Sequence, residues 1–400
     1  ESQKEIREKR ANALFFYLVS SCSEHLVAIF VYDLRIIKTM NMNTKLSALL
    51  LATLGLSTQM PANACTGITL KSKDGMTVAA RTIEWAESVM NNLYVVVPRN
   101  QELQSLTPSG MDGVRFKSKY GFVGLAVEQK EFMVEGVNEK GLSAGLFYFP
   151  NYGKYQPFDP MEKDKSLADF QVVSYVLAKC SSINDVKREL EKVRIINIDP
   201  RSSTVHWRFT EPSGRQVVLE IVDEVMHFYE NPLGVLTNSP GFKWQLTNLN
   251  NYVNLHPGTA GPTKFGPIKL RAFGSNSGFL GLPGDFTPPS RFVRAAFLKT
   301  YSIPQDTAQQ SVDQAFHILN NVDVPSGVQF AVGKSPTDMP AATQWTVATD
   351  LKNMRIYYHT MYNRTIRSID MSKIDFATVP FQYHPLDTEK QQTIFSVKID

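Results

Sequence analysis

The chain has 400 residues, 42 basic against 38 acidic, a formal charge of +4 at neutral pH, and 43% hydrophobic against 20% charged residues. That near balance leaves no basic footprint for nucleic acid, and the proportions are those of an ordinary globular protein with a sizeable core. Three cysteines and seven histidines, scattered singly and without H-E-x-x-H or C-x-x-C spacing, exclude a disulfide framework and a recognisable metal motif.

The first 64 residues read as a leader. Lys45 precedes the apolar run Leu46–Leu56, and a polar stretch then ends in Ala-Asn-Ala directly before Cys65. A basic start, a short hydrophobic run and a small-residue A-x-A site make a secretory signal peptide, and the run falls short of the ~20 residues that span a bilayer. The expectations are cleavage after Ala64, an exported periplasmic or secreted protein, no stable membrane insertion, and Cys65 as the first residue of the processed chain. The rival reading, a lipid-modified cysteine, expects a branched apolar residue three places earlier, where Ala62 stands. Residues 1–41 read as an upstream translated or misassigned segment, 42–64 as the signal peptide and 65–400 as a single domain. Setting the leader aside removes seven basic and five acidic residues, so the remainder stays close to neutral.

From Cys65 onward strands alternate with paired helices. "TGITLKSKDGMTVAART" alternates on both sides of Asp74-Gly75 and predicts a hairpin. Strands follow in "YGFVGLAV", "EFMVEGVN" and "GLSAGLFYF", the last two joined by a turn over 138–141. Helices are predicted in "SLADFQVVSYVLAKC", which ends on Cys180 as a packed core thiol, and in "SINDVKRELEKV", with Ser182 as N-cap and Asp185 in the first turn. Strands resume in "TVHWRFTE", "RQVVLEIV" and "EVMHFYE". Helices return in "KWQLTNLNNYV", "SRFVRAAFLKTY" and "AQQSVDQAFHILNNV", and "QWTVATDL" and "RIYYHTM" close the chain as strands. Antiparallel runs separated by paired helices predict a layered α+β fold with helices covering sheets.

The first hairpin decides what surrounds Cys65. If Lys73 faces Met76, Cys65 lies opposite Glu84 and Arg81 opposite Ile68. Strict alternation then turns Arg81 and Glu84 to opposite faces, and a bulge or longer loop is needed to bring both to the cysteine. A terminal thiol, a guanidinium and a carboxylate still meet at one end of one hairpin. A cation lowers a thiol pKa, a free α-amine can take the thiol proton, and a carboxylate can orient that amine. An ordinary strand-end ion pair between Arg81 and Glu84 is the plain alternative.

Five motifs in order carry a family resemblance: "CTGI" at Cys65, "ARTIEW" from Ala80, "EGVNEKGLSAGLFYFP" ending at Pro150, "GVLTNSPGFKWQLTNLNNY" from Gly234, and "GLPGDFTPPSRFVRAAF" from Gly281. The chain resembles the choloylglycine hydrolases, which include bile salt hydrolases and penicillin V acylases, within the N-terminal nucleophile hydrolases. The resemblance implies a four-layer αββα sandwich with two antiparallel sheets over 65–400. It makes Cys65 the nucleophile and Arg81 its activating cation. Glu84 falls where the family usually has aspartate beside the amine and thiol. Asn238 matches the side-chain donor of the oxyanion hole, and such a donor is worth ~2.7–4 kcal/mol; a turn-capping role is the commoner use of Asn-Ser-Pro. Tyr148 falls near the position whose backbone N–H completes the hole. Arg291 matches an arginine close to the nucleophile, and Arg294, one helical turn on, reads as a structural partner.

The implied reaction is amide hydrolysis through an acyl-enzyme, without metal or organic cofactor, on a small-molecule amide. Glycine- or taurine-conjugated bile acids are the first choice of substrate, penicillin V or another N-acyl amide such as an acyl-homoserine lactone the second. Ile83, Trp85 and Phe147 suit a large apolar acyl group, and Tyr148 leans toward the acylases. The family suggests a homotetramer. A different class is an exported binding protein that has lost catalysis, with Glu84 in place of aspartate as its mark.

Overall fold

The computed structural model describes residues 65–85, 90–198, 203–329 and 342–399, so the segments expected at 1–41 and 42–64 lie outside the described residues. The described chain opens with β1 (Cys65–Lys71) and β2 (Thr77–Trp85). Cys65 lies opposite Ile83 and Gly67 opposite Arg81, one residue away from the expected pairing. The loop is the cause. Ser72, not Lys73, faces Met76, its N–H donating to Met76 O at 3.0 Å, and Lys73-Asp74-Gly75 form a three-residue turn with Gly75 at φ +82°. Glycine takes that left-handed conformation without steric cost. A slip of one residue exchanges whole faces of a strand. Arg81 therefore shares a face with Cys65, and Glu84 points to the other.

Next come β3 (Asn92–Val97), the short ribbon β4 and β5 (Glu102–Gln104, Arg115–Lys117), β6 (Phe122–Val127), β7 (Met133–Asn138) and β8 (Ser143–Tyr148). The turn between β7 and β8 forms as expected, Gly141 N–H donating to Asn138 O at 2.8 Å. The helix expected from Ser166 starts later. Ser166–Ala168 is a short strand, β9, parallel to β10 (Arg194–Ile196), and α1 covers only Val172–Lys179. Ala168 N–H donates to Ser105 Oγ at 2.8 Å, so pairing with distant segments overrides local helix preference here. In α2 (Ile183–Leu190) the Ser182 hydroxyl accepts from Asp185 N–H at 3.1 Å, the predicted cap.

The chain continues through β11 (Val205–Thr210), β12 (Gln216–Val222), β13 (Val225–Glu230), β14 (Val235–Leu236) and α3 (Phe242–Asn248). A ribbon, β15 and β16 (Thr263–Phe265, Ile268–Leu270), precedes α4 (Pro288–Tyr301) and α5 (Ala308–Leu319). The closing strands are β17 (Ala342–Asp350), β18 (Arg355–Thr360), β19 (Arg367–Asp370) and β20 (Gln382–Pro385).

Two antiparallel sheets result, ordered β14-β1-β2-β17-β18-β19 and β13-β12-β11-β8-β7-β6-β3-β20. Helices α4 and α5 cover the first and α1 the second, with α2 packed beside α1. This is the expected αββα sandwich. The seam between the sheets is charged as well as apolar. Arg208 of β11 reaches across to donate to Ala80 O at 3.0 Å, and Gln216 Nε2 donates to Thr69 Oγ1 at 2.6 Å. Gly67 is required at this seam, because a Cβ there would lie 2.7 Å from Arg208 Nη1 and 2.8 Å from the Phe147 ring.

Candidate active site

Cys65 is buried at the start of β1. Its N–H donates to Asn238 Oδ1 at 2.8 Å, and its carbonyl accepts from Arg291 Nη1 at 2.7 Å. Arg291, fully buried on α4, also donates to Thr66 Oγ1 at 2.6 Å and to Asn238 Oδ1 at 2.7 Å. Asn238 Nδ2 in turn donates to Tyr148 O at 2.8 Å. Two donors converge on Oδ1, which orients the amide, and its NH2 keeps one hydrogen for a further acceptor. The Tyr148 backbone N–H lies near enough to the Cys65 thiol to favour its anion. Four segments distant in sequence thus meet at one residue: β1, the end of β8, the turn after β14, and α4.

Arg81 extends from Cys65's face into the seam. Its Nη1 donates to Val134 O at 3.0 Å and to Leu146 O, its Nε to Thr82 O at 3.1 Å, and its guanidinium lies 4.2 Å over the Phe147 ring. The β7–β8 pairing runs from Val137–Ser143 to Glu135–Gly145 and stops, so the carbonyls of Val134 and Leu146 lie beyond the ladder. Arg81 satisfies both, as buried carbonyls require. Its carboxylate neighbour is Glu135 at 3.8 Å, not Glu84, so the strand-end ion pair does not form. Glu135 also pairs with Arg208 at 3.0 Å.

Glu84 lies on the helix side of the sheet, buried, its Oε1 accepting from Thr343 Oγ1 at 2.9 Å. The irregularity sought in the hairpin is in β17 instead: Thr343 pairs with Glu84 and Trp345 with Ile83, so Gln344 is the extra residue. Burial raises the Glu84 carboxyl to about 7, against the opposing pull of Arg291, Thr82, Thr343 and Arg81. The Cys65 thiol is also raised. Burial is the main cause, Glu84 adds to it, and Arg81, Arg291 and the Tyr148 N–H offset it only in part. The expected cation is therefore in place, yet it does not outweigh desolvation.

Arg294 donates to Asn321 O, Pro283 O and Asp285 O at 2.9, 2.7 and 3.0 Å, a brace between loops. Cys180 is a core thiol pushed up to about 12, chiefly by burial. Phe147 corrects an expectation. It is fully buried, its ring 4.2 Å from the Arg81 guanidinium and 5.5 Å from that of Arg208, so it packs the seam and offers no open surface to an acyl group. Ile83 is buried too, and the Trp85 side chain lies outside the described residues.

Two residues at the site escaped the sequence reading. His206 and Glu220 are buried in the seam, His206 Nε2 lying 3.0 Å from the carbonyl of Thr237, next to Asn238. The available signal was the alternation of "TVHWRFTE", which sets His206 and Arg208 on one face and Trp207 and Phe209 on the other. A polar face reads as solvated until a second sheet is known to cover it. Among the described residues no cluster of His, Cys, Asp and Glu could hold a metal, and no helix is long and apolar enough to cross a membrane.

A family model described as linear amide C–N hydrolases, choloylglycine hydrolase family, matches residues 65–391. A bile salt hydrolase/transferase of Clostridium perfringens is 34% identical over 315 residues, 77% of this chain and 93% of its own. A penicillin V acylase of Pectobacterium atrosepticum is 28% identical over 346 residues, 80% of this chain and 84% of its own. A crystal structure of a cysteine-to-alanine variant of the conjugated bile acid hydrolase of Clostridium perfringens superposes with a TM-score of 0.73 at 31% identity, covering 84% of this chain and 100% of that one.

Proposed function

The chain belongs to the choloylglycine hydrolase family of linear amide C–N hydrolases, and from that membership we propose that it cleaves glycine- or taurine-conjugated bile acids through an acyl-enzyme on Cys65. The observation that supports the reading most is the meeting of Cys65, Asn238, Tyr148 and Arg291. While Ala64 precedes it, the Cys65 nitrogen is an amide and cannot serve as a base. Cleavage after Ala64 frees an α-amine beside the thiol. That amine, directly or through water, takes the thiol proton, and the sulfur attacks the substrate carbonyl. The spare hydrogen of Asn238 Nδ2 and the Tyr148 N–H stabilise the oxyanion. The ammonium returns its proton to the departing glycine or taurine nitrogen, and water then releases the bile acid. Arg81 favours the thiolate, Arg291 orients Asn238, and Glu84 acts on both from across the sheet.

The same reading takes the protein as exported after processing and as a homotetramer, which N-terminal sequencing and light scattering test. A second reading, a penicillin V acylase or another N-acyl amide hydrolase, is favoured by Tyr148 and by the 28% identical acylase. Parallel incubation with glycocholate, taurocholate and penicillin V, with the freed amine quantified, separates the two. Release of glycine or taurine at least tenfold faster than cleavage of penicillin V is expected, and the reverse order establishes the second reading. No turnover of any of the three, together with no preferential iodoacetamide labelling of Cys65, would leave an exported binding protein.

A further inference from the structure

The chemistry above leaves a buried titratable pair unused. We propose that His206 and Glu220 position both donors of the oxyanion site, a role that rests on the reading of Asn238 and Tyr148 just given. His206 of β11 and Glu220 of β12 are 0% and 2% exposed. His206 Nε2 lies 3.0 Å from Thr237 O. A carbonyl only accepts, so Nε2 carries hydrogen. Nδ1 lies 3.2 Å from Glu220 Oε1, and the same carboxylate oxygen accepts the Phe242 N–H at 2.7 Å. One pair thus ties down both ends of the segment 237–242, before Asn238 and after Pro240-Gly241. Inside the segment, Ser239 Oγ donates to Pro150 O at 2.6 Å, which leaves Asn238 little freedom.

The same imidazole bears on the other donor. Its ring stacks on Phe149 at 4.4 Å with planes 9° apart, and meets Phe147 edge-on at 6.1 Å. Those two residues flank Tyr148. The direct bond from Asn238 Nδ2 to Tyr148 O sets the spacing of the two donors, and one buried ring buttresses the backbone on both sides of it. Oxyanion donors work only within about 2.7–3.1 Å of the developing charge, and a misplacement of about 1 Å can cost about 100-fold in rate. Loss of the ring nitrogens leaves the Thr237 carbonyl without its buried donor and Glu220 with the Phe242 N–H alone, which favours movement of the segment. His206 touches neither thiol nor substrate in this scheme, so it is a positioning residue.

The test uses two reactions of Cys65 in the purified protein. Alkylation by iodoacetamide needs a reactive thiol but no oxyanion donors, whereas acylation by p-nitrophenyl acetate passes through a tetrahedral oxyanion. His206→Phe, which keeps a ring but no N–H, should slow acylation and amide turnover about 10- to 100-fold while alkylation stays within about twofold. His206→Gln, whose amide can still donate to Thr237 O, should recover most of the loss, and Glu220→Gln should fall between the two. Equal losses in both reactions, or unchanged acylation, overturn the proposal. If His206→Phe does not fold, the same comparison on Glu220→Gln decides it, with His206→Gln as the near-native control. A native protein that accepts the ester yet hydrolyses neither bile salts nor penicillin V sinks the substrate reading and leaves the positioning role standing. A native protein that alkylates at Cys65 but takes no ester has no working oxyanion site, and the positioning role falls.

Discussion

At Cys65 sulfur chemistry and burial pull in opposite directions. Desolvation raises the thiol, and two arginines and one backbone N–H act against it. Cys65→Ser is a small change at the start of a strand and should leave the fold intact. Amide turnover should nevertheless fall by several orders of magnitude, since a hydroxyl has no accessible anion for Arg81 and the amine to favour. Asn238→Ala is a different lesion, because it removes both the spare amide hydrogen and the acceptor that holds the Cys65 nitrogen and Arg291. A fall in kcat on the order of 10²–10³ is expected, with Cys65 still alkylated by iodoacetamide. Cys180→Ser should keep turnover and cost roughly 1–3 kcal/mol of stability in chemical denaturation, as a hydroxyl enters a site built for a thiol. An inactive Cys180→Ser beside an active Cys65→Ser would show that the nucleophile lies elsewhere.

The decisive elements are the first hairpin and the seam it faces. A three-residue loop in place of a two-residue one brings Arg81 to the thiol's side, and Arg81 then caps the carbonyls where β7 and β8 part. The seam leaves no room at Gly67, where a Cβ meets Arg208 and Phe147, both buried and both held. Gly67→Ala should therefore destabilise the protein by roughly 1–3 kcal/mol through overpacking. Gly261→Ala, with nothing within 4 Å of its Cβ, is the control and should lie within about 0.5 kcal/mol of the native protein. Equal midpoints for the two variants in urea would mean that the seam relaxes around an added methyl.

For the whole molecule, buried carboxyls set the pH response. Glu84 and Asp169 are each raised to about 7, mainly by burial, so the folded protein holds protons that the unfolded chain releases from about pH 4 upward. The unfolded state then binds fewer protons, and stability falls as pH rises across about 4 to 7, by at most about 1.4 kcal/mol per pH unit for each group. Asp185 and Asp285, lowered to about 2 with hydrogen bonds to their carboxylates, act in the opposite sense. Their contribution is present above about pH 4 and is lost as pH falls toward 2. Asp169→Asn, at a group that does not act on the Cys65 thiol, should flatten the decline between pH 4 and 7 in urea titrations. A variant with the native slope would show that Asp169 is not the group responsible.

Alternation and turn residues, which are local in the chain, were enough for the layered α+β class, and five ordered motifs carried the family resemblance that implied the sandwich and pointed to Cys65, Tyr148, Asn238 and Arg291. The sequence also placed the Ser182 cap and the buried Cys180, which depend on near neighbours alone. The hairpin register, the side of the sheet that Glu84 takes, the bulge in β17 and the shortened α1 were decided only by tertiary structure. The register and the side Glu84 takes follow from the three-residue loop, whose Lys73 and Asp74 N–H groups donate to the distant Gln305 and Asp306 carbonyls. The bulge and the shortened helix depend on which distant strand supplies the partner. His206 and Arg208 of β11 and Glu220 of β12 stayed hidden because each strand alone shows only a polar face, and only a second sheet laid over that face turns solvent contacts into hydrogen bonds inside the protein.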